Sequence, residues 1–580
     1  LSPALCALLL RPYIDENGKE KNNFAARFRK AFNAAFGVII EKYKYCVLFF
    51  IKRRWLTWSL LVCSLVILTL LMRSTKSGLV PDEDQGVVFV NVSTAAGNSL
   101  ATTDRVMTRI EERIKNIPQV KAYSKVAGYG LLAGQGNSFG MFILKLKPWD
   151  ERPDKEDAVQ TVIGQIYGRT ADIKDASVFA IAPGMIPGYG MGNALEMHMQ
   201  DKTDGDLTTF FNTTQQYLAV LRERPEIAMA YSTFSINYPQ WMVEVDASKC
   251  KRAGVTPDAV LGTLSGYYGG QYVSNFNRFS KVYRVMIQAA PEYRLDEASL
   301  NNTFVKVGNE MAPLSQFITL TRVYGAETLS RFNMYNSIAV NAMPAYGYSS
   351  GDAIKAVKEV AGTSLPKGYS FDFGGITREE NQQGSGTTII IFAICILMIY
   401  LILSALYESF IIPFAVILSV PCGLMGTFLF AKMFGLENNI YLQTGLIMLI
   451  GLLAKTAILL TEYAAERRAA GMGLISAALS AAKARLRPIL MTALTMIFGL
   501  LPLMVSSGVG ANGNRSLGTG TVGGMVIGTL ALLFIVPSLF VVFQYLQEKV
   551  RPVHINEHPD WEIQVEKEKS EQEKKEVGKK

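Results

Sequence analysis

The chain has 580 residues, of which 49% are hydrophobic and 18% are charged, and 58 Lys and Arg against 49 Asp and Glu give a net charge of +9. Soluble domains usually contain about 25% charged residues, so this composition argues against an ordinary soluble protein. The charge is too small for a nucleic-acid footprint, and three His with six scattered Cys predict neither a metal centre nor a disulfide framework. We therefore expect no cofactor, no metal and no nucleic-acid partner.

Six apolar stretches are long enough, or nearly so, to cross a membrane, which requires roughly 20 residues. The predicted transmembrane helices are residues 55–72, 387–406, 411–434, 440–463, 488–506 and about 519–543. Pro488 is typical of the first turn of a helix. Residues 1–10 are apolar over only half this length, which predicts the end of a helix whose beginning is missing. The sequence is therefore interpreted as a fragment.

The Lys and Arg residues predict how the helices are oriented. Residues 11–54 contain 11 basic and 4 acidic residues, and residues 464–487 contain five basic residues and one acid. These segments and the charged tail, 546–580, are therefore expected in the cytoplasm. Residues 73–386 are expected on the other side of the membrane.

Residues 24–40 have a different pattern, in which Phe24, Phe28, Phe32 and Phe36 recur every four residues among basic residues. This pattern predicts an amphipathic helix. It either lies in the membrane interface or packs on the cytoplasmic face of the protein itself, and the sequence does not choose between the two.

The external region, 73–386, contains a repeated pattern of strands and helices. Residues 73–189 follow the order βαββαβ of the ferredoxin-like split βαβ fold. A second such unit is predicted in two halves, 190–239 and 331–386, which are separated by an insert at 240–330. The predicted fold is thus an α-helical membrane domain, with a helical bundle at 387–545, plus an external α+β domain with two ferredoxin-like units. A cleft between these units is the expected place for a ligand.

Lys455 lies near the middle of the predicted helix 440–463. An unpaired ammonium at that depth costs about 2.5–3.5 kcal/mol on insertion scales, whereas Lys432, near a helix end, can reach the interface. Glu408, Glu437 and Glu462 lie near membrane edges or turns. We therefore expect the partner carboxylate on a segment outside this chain, where its protonation would release Lys455 and let the helices move.

Two further patterns lie in the last two predicted helices. Arg485 and Thr492 are seven residues apart and hence on one helix face, although Arg485 and Arg487 could equally be cytoplasmic anchors. Gly520, Gly524 and Gly528 form a doubled small-xxx-small spacing, which predicts close helix packing.

Several motifs resemble one family. They are LSPALCA (1–7), VPDEDQG (80–86), GYGLLAGQGNSFG (128–140), ALYESFIIPFAVILSVP (405–421), GLLAKTAILL (451–460), RLRPILMT (485–492) and GTGTVGGM (518–525). From residue 1 to about 545 the chain resembles the C-terminal half of a resistance-nodulation-division (RND) efflux transporter. The hydrophobe/amphiphile efflux branch, which supplies the inner-membrane part of tripartite multidrug pumps, is the most similar.

The resemblance implies a bacterial inner-membrane protein with twelve transmembrane helices, of which this chain would hold six. It implies proton-driven export of hydrophobic or amphiphilic molecules by a homotrimer with a periplasmic membrane-fusion adaptor and an outer-membrane channel. The two external units would be porter subdomains and the insert a docking subdomain. Lys455, Arg485 and Thr492 match the proton-relay positions. The acidic relay residues would belong to the missing N-terminal half, without which the chain would not transport.

The resemblance also assigns a switch loop and a substrate pocket. The loop, 128–140, contains five glycines, and the four taken to suit mobility are Gly128, Gly130, Gly134 and Gly136. The positions that match the pocket are Ser124, Tyr129, Leu131, Ile143 and Phe179. These side chains could equally be core packing. Their largely aliphatic character weakens the expectation of planar aromatic substrates.

Two other kinds of function remain as alternatives. A heavy-metal or lipid exporter of the same superfamily is one, since Met197 and Met199 flank His198, and Met185 and Met191 lie in a Gly/Pro-rich loop. In a strand, however, His198 points away from its two Met neighbours. A membrane-anchored binding or scaffold protein would not need Lys455. An enzyme is not expected, because the external region has no nucleophile motif and one His.

Overall fold

The computed structural model describes residues 24–81, 83–131, 134–184, 186, 194–345, 347–383 and 387–552. Within these ranges, six helices are long and apolar enough to cross a membrane, which confirms the predicted number. The predictions for residues 1–10 and for most of the tail, 546–580, lie outside the described residues. The first two helices, α1 (Phe24–Lys52) and α2 (Arg54–Ser74), follow each other almost directly.

The first external unit is one antiparallel sheet covered by two helices. Its elements are β1 (Val87–Thr94), α3 (Leu100–Ile114), β2 (Val120–Gly130), β3 (Gly134–Leu146), α4 (Val159–Thr170) and β4 (Ala176–Ile181). The strands pair in the order β2-β3-β1-β4. Val88, Val90 and Val92 alternate along β1 and are buried against α3 and α4, because successive side chains of a strand point to opposite faces. Phe89 and Asn91 therefore point to the opposite face of the sheet.

The second unit is a five-stranded sheet formed by two separated stretches of chain. Its elements are β5 (Leu195–Asp201), α5 (Leu207–Arg222) and β6 (Ile227–Tyr231), then, after the insert, β13 (Ser330–Phe332), β14 (Tyr335–Pro344), α8 (Ser350–Ser364) and β15 (Tyr369–Phe373). The order is β13-β14-β5-β15, and β6 pairs with β14. A helix, α9 (Gly375–Gln383), leads back to the membrane helices.

The insert between β6 and β13 leaves and returns through one pair of strands. Its elements are β7 (Tyr238–Val245), α6 (Ala247–Ala253), α7 (Pro257–Leu264), β8 (Gln271–Arg278), β9 (Lys281–Ile287), β10 (Phe304–Val307), β11 (Glu310–Pro313) and β12 (Ile318–Gly325). The first strand, β7, pairs with the last, β12, over eight residues. The ends of the insert are therefore neighbours, as a projecting insertion requires.

The remaining helices form the membrane bundle around its last helix. They are α10 (Thr387–Tyr407), α11 (Pro413–Ile417), α12 (Val420–Met433), α13 (Ile440–Ala469), α14 (Leu474–Met504) and α15 (Ala511–Val550). Each of the two long helices α14 and α15 contains an apolar stretch of 18 residues. In this stretch, 61% of the residues are buried in α15 and 17% are buried in α14. The central helix is therefore α15, whereas the apolar part of α14 consists mostly of half-buried and exposed residues.

Glycines bring the backbones of the central helices close together. A Cβ atom on Gly520 would lie 2.5 Å from Leu442 Cδ1, and one on Gly524 would lie 2.2 Å from Leu449 Cδ2. On the facing helix α12, a Cβ on Gly426 would lie 2.7 Å from the backbone oxygen of Gly523. Small residues allow such approaches, and in lipid the resulting van der Waals contact is a main source of helix association.

The amphipathic helix α1 packs on the bundle through its C-terminal half. Tyr43, Val47 and Ile51 are buried, and the Tyr43 hydroxyl donates to the carbonyl of Leu533 at 2.7 Å. The Phe28 side chain, near the other end of α1, is 65% exposed. These contacts lie beyond residues 24–40, for which the two alternatives stay predictions.

One predicted helix start is wrong. Pro488 is not in a first turn, because α14 begins at Leu474 and contains Pro488 in its interior. The Ala-rich segment before it is helical and buries Ala477, Ala478 and Ala481, so the helix extends beyond its most apolar part. The predicted helix 411–434 agrees with the membrane-length span Pro413–Met433, which is interrupted briefly between α11 and α12.

The glycine contacts predict unequal costs for equal substitutions. Gly426→Ala should destabilise the membrane domain by about 1–3 kcal/mol, because the new methyl group would overlap the Gly523 carbonyl. Gly451→Ala on α13 is the matched control, since no atom lies within 4 Å of a Cβ there. Thermal unfolding in detergent, followed by tryptophan fluorescence, measures both. Equal midpoints for the two variants would contradict the close contact.

Candidate functional site

A cavity of about 240 Å³ lies between α13 and α14 at the level of Lys455. Its walls come from three helices: Leu452, Lys455, Thr456 and Leu459 of α13, Met491, Thr492, Ala493, Thr495 and Met496 of α14, and Met525 of α15. Lys455 is the only charged side chain among these lining residues. The structure thus brings two of the three predicted relay residues, Lys455 and Thr492, to one apolar cavity.

Helix geometry explains this meeting. Leu452, Lys455 and Leu459 lie three and four residues apart, so they share one face of α13. Thr492 donates its hydroxyl to backbone carbonyls of its own helix, at 3.1 Å from the Pro488 oxygen and 3.0 Å from the Ile489 oxygen. The lone pairs of its Oγ1 remain available to accept a hydrogen bond from an ammonium or a water molecule.

The third predicted relay residue, Arg485, does not line this cavity. Its guanidinium carbon lies 4.3 Å from the centroid of the Tyr463 ring. Arg467 also lies against this ring, at 3.3 Å, and donates to the Tyr463 hydroxyl. Arg485 and Thr492 therefore both face α13, as their spacing predicts, but they contact it two turns apart. Tyr463 was not among the residues predicted from the sequence. The Arg four residues later, on the same helix face, was the signal that could have pointed to it.

Arg487, on the same helix as Arg485, instead holds α1. Its guanidinium carbon lies 5.6 Å and 5.4 Å from the ring centroids of Phe32 and Phe36, and Nη2 donates to Asn33 Oδ1 at 2.7 Å. Cation–π contacts of this kind stabilise by about 0.5–1 kcal/mol at exposed sites. The Phe repeat of α1 thus contacts Arg487, in the first half of α14.

The acids of the bundle do not reach Lys455. Glu408 lies in the turn after α10, Glu437 precedes α13, and Glu462 is exposed near the end of α13. None of the three lines the cavity. In the part of the chain that the structure describes, the ammonium of Lys455 thus faces an opening without a carboxylate, and Lys455 itself is exposed.

The resemblance implies a mobile switch loop at 128–140, and the described part of this segment consists mostly of strand residues. The strand β2 continues to Gly130 and β3 starts at Gly134, so the segment is the end of a long hairpin. Gly128 and Gly134 have φ of +84° and +81°, which side-chain-bearing residues rarely adopt. The glycines therefore shape the end of the hairpin. Residues 132 and 133 lie outside the described residues.

The predicted pocket residues lie on the sheet face that turns away from α3 and α4, or at the end of the hairpin. Ser124 is paired with Ile143 across β2 and β3, and Ile143 is paired with Phe89 on the face opposite the core. The Phe179 ring packs on Tyr231 of the second unit, at 4.8 Å between centroids. This face of the first sheet therefore meets the second unit.

The other two predicted pocket residues, Tyr129 and Leu131, lie near the hairpin end. The Tyr129 side chain is exposed, and the Leu131 N–H donates to Asn91 Oδ1 at 2.8 Å. Because Asn91 belongs to β1, this bond ties the hairpin end to the centre of the sheet.

The Met and His residues considered for a soft metal are separated as the strand pattern predicts. Met197 and Met199 are buried in the core of the second unit, whereas the His198 ring stacks on Phe332 with centroids 4.1 Å apart. Among the described residues, no group of three or more His, Cys, Asp and Glu could hold a metal ion. The other pair, Met185 and Met191, lies outside the described residues.

Comparison with known proteins gives one consistent result. The AcrB/AcrD/AcrF family matches residues 1–544. The chain is 34% identical over 552 residues to the toluene efflux pump membrane transporter TtgB of Pseudomonas putida, and 33% identical to the multidrug export protein AcrF of Escherichia coli. Each alignment covers 94% of this chain and 52% of the relative. The chain therefore spans about half the length of these relatives.

The shared cavity predicts which positions can be bridged. In a cysteine-free background, Lys455→Cys with Thr492→Cys should be cross-linked efficiently by a short bifunctional thiol reagent. Lys455→Cys with Ser480→Cys is the control, because Ser480 lies about 18 Å farther along α14. Gel mobility after protease cleavage between α13 and α14 measures the cross-link. Equal yields from the two pairs would contradict the position of Thr492 in the cavity.

Proposed function

Because the chain belongs to the AcrB/AcrD/AcrF family, which confirms its resemblance to RND efflux transporters, we propose that the whole protein exports hydrophobic or amphiphilic molecules in exchange for protons. The observation that carries this proposal is the placement of Lys455 and Thr492 in one cavity between membrane helices. An ammonium at mid-membrane depth is costly in hydrocarbon and is retained where it serves transport.

We propose that residues outside this chain supply an acid opposite Lys455. When that acid is ionised, it attracts the ammonium across the cavity, and when it binds a proton this attraction is lost. Protonation would therefore change the preferred separation of α13 from the facing helices. Arg485 would act at a distance from this pair, because its contacts are with Tyr463.

The external region supports the export half of the proposal. We propose that both sheet units are ferredoxin-like porter subdomains in the periplasm and that the insert is a docking subdomain. The contact between Phe179 and Tyr231 joins the two units beside the proposed substrate pocket. The glycine-rich hairpin end would act as the switch between pockets by bending at its positive-φ glycines.

The proposed substrates are apolar molecules that enter from the periplasm or the inner membrane. The relatives are named as pumps for toluene and for multiple drugs. The proposed pocket positions Leu131 and Ile143 are aliphatic, which suits flexible amphiphiles or solvents better than stacked aromatic compounds. By resemblance, the whole protein would have twelve helices, form a homotrimer in the inner membrane, and join a periplasmic adaptor and an outer-membrane channel.

The function proposed here predicts a selective loss on neutralising one lysine. In the full-length protein, Lys455→Met should reduce proton-driven export at least about tenfold, because no charge remains for the acid to attract. Lys432→Met is the matched control, since Lys432 is exposed and donates to Ser74 at 3.1 Å. Export of a fluorescent apolar dye from cells, with size-exclusion chromatography to verify assembly, measures the effect.

Normal export by assembled Lys455→Met would overturn the proposal and would favour a binding or scaffold role. An equal loss in Lys432→Met would indicate a general defect of the bundle instead of a role for the cavity. Protection of cells against metal ions but not against apolar compounds would favour a metal exporter.

A further inference from the structure

We propose that residues 75–81 and 83–86, between α2 and β1, form the joint that passes movement of α13 and α15 to both external sheet units, and that Glu83 is its positioning residue. This inference rests on the proposed transport function and adds the route by which the membrane bundle acts on the external region. These residues make hydrogen bonds to two membrane helices and to both sheet units.

The first contact is with the start of α13, the helix that contains Lys455. The N–H of Asn438 donates to the Lys76 carbonyl at 2.8 Å, and the N–H of Gly78 donates back to the Asn438 carbonyl at 3.3 Å. The N–H of Ile440, the first residue of α13, donates to the Leu79 carbonyl at 3.1 Å. Displacement of this end of α13 therefore pulls on the joint directly.

The second contact is with the second sheet unit. The N–H of Gly351, in the first turn of α8, donates to the Ser77 carbonyl at 3.2 Å. A Cβ on Gly351 would lie 2.3 Å from Ser77 Oγ, so the two backbones approach closely. The Lys76 ammonium also donates to the Gly347 carbonyl. The joint is thus held between α13 on one side and α8 on the other.

Glu83 supplies the third contact, with α15. Its carboxylate accepts from the N–H of Gly513 at 2.8 Å, and Glu83 is only 9% exposed. The first turn of α15 has no capping side chain of its own, because Gly510 occupies the preceding position. A carboxylate at a helix N-terminus binds free N–H groups and interacts favourably with the helix dipole. Glu83 therefore attaches the joint to the central membrane helix.

Asp84 supplies the fourth contact, with the first sheet unit. Its two oxygens accept from Arg152 Nη1 and Nη2 at 2.8 and 3.0 Å, and the Arg152 side chain is 1% exposed. One of these oxygens also accepts from the N–H of Val159, the first residue of α4, which has no side-chain cap of its own. Adjacent carboxylates thus cap two helices, one in the membrane and one outside it.

The Asp84 attachment does not titrate in the physiological range. Burial alone would raise the pKa of Asp84, but the Arg152 guanidinium and the N–H groups of Gly86 and Val159 lower it below its ordinary value. Asp84 therefore stays ionised whenever the proposed relay gains or loses its proton. Glu83 and Asp84 are adjacent in the chain and each caps a helix, so the joint acts as a short, stiff link.

Conservative variants of Glu83 in the full-length protein separate the effect of side-chain length from the effect of charge. Glu83→Asp keeps the charge but is one methylene too short to reach Gly513, whereas Glu83→Gln keeps an acceptor oxygen at the right length. Glu83→Asp should lower export of the apolar dye N-phenyl-1-naphthylamine from proteoliposomes about tenfold, the factor expected for one lost hydrogen bond to a charged group. Glu83→Gln should retain most of the export. Glu112→Gln, at an exposed acid of α3, is the control.

A second readout tests transmission itself. Spin labels at exposed Met433 and Val505 report on the membrane bundle, and labels at exposed Lys174 and Lys367 report on the two sheet units. On acidification of the unmutated protein, the distance between the Met433 and Val505 labels and the distance between the Lys174 and Lys367 labels should both change. In Glu83→Asp the bundle distance should still change, while the change between the sheet units should be reduced. A purely structural role would alter both pairs together.

The outcomes are distinct. Unchanged dye export in Glu83→Asp, together with an unchanged response of the distance between the sheet units, would overturn the proposed joint. Loss of the distance changes in both the bundle and the sheet units would overturn it as well. If the unmutated protein shows no proton-driven export, the proposed function fails, and the label pairs still decide whether the joint transmits movement. If Glu83→Asp does not assemble, hydrogen exchange in the unmutated protein decides instead. Residues 83–86 and 511–514 should then change their exchange together with pH, and independent changes would overturn the joint.

Discussion

One cation at mid-membrane constrains the membrane half of this protein. Hydrocarbon does not solvate an ammonium, so Lys455 needs either an opposite charge or an opening to water. The described helices provide the opening, the cavity shared with Thr492, and no carboxylate within it. The exposure of α14 fits this arrangement, because the cavity faces the side of the bundle where little of this chain packs. Under the proposed function, this site is half of an electrostatic pair.

The packing of α15 determines how such a pair can do mechanical work. The helix is fixed laterally by glycine contacts with α12 and α13, and its first turn is capped by a residue from outside the membrane. A rigid central helix with an external cap transmits displacement better than a flexible connection would. The hydrogen bonds of the joint have the same effect, because they hold the connecting segment on several sides, where a free linker would transmit little displacement.

The sequence predicted the parts of this arrangement that depend on local pattern. The apolar stretches identified six helices and singled out Lys455, and a spacing of seven placed Arg485 and Thr492 on one face. The sequence did not predict that Arg485 contacts Tyr463, because this contact depends on how far the antiparallel helices α13 and α14 overlap. Hydropathy also misplaced the start of α14, because the alanines before Pro488 are helical without being strongly apolar. The partners of Glu83 are hundreds of residues away along the chain, so no local pattern could reveal them.

The glycine seam between α12 and α15 has a consequence for dynamics. Interlocking side chains fix the register of two helices, because ridges must climb out of grooves before the helices can move. At this contact Ile527 lies over Gly426, the Phe430 ring lies over Gly523, and the Thr427 hydroxyl donates to the Gly520 carbonyl at 2.9 Å. Side chains of each helix therefore interlock with glycines of the other, so α12 and α15 are expected to move together as one rigid pair.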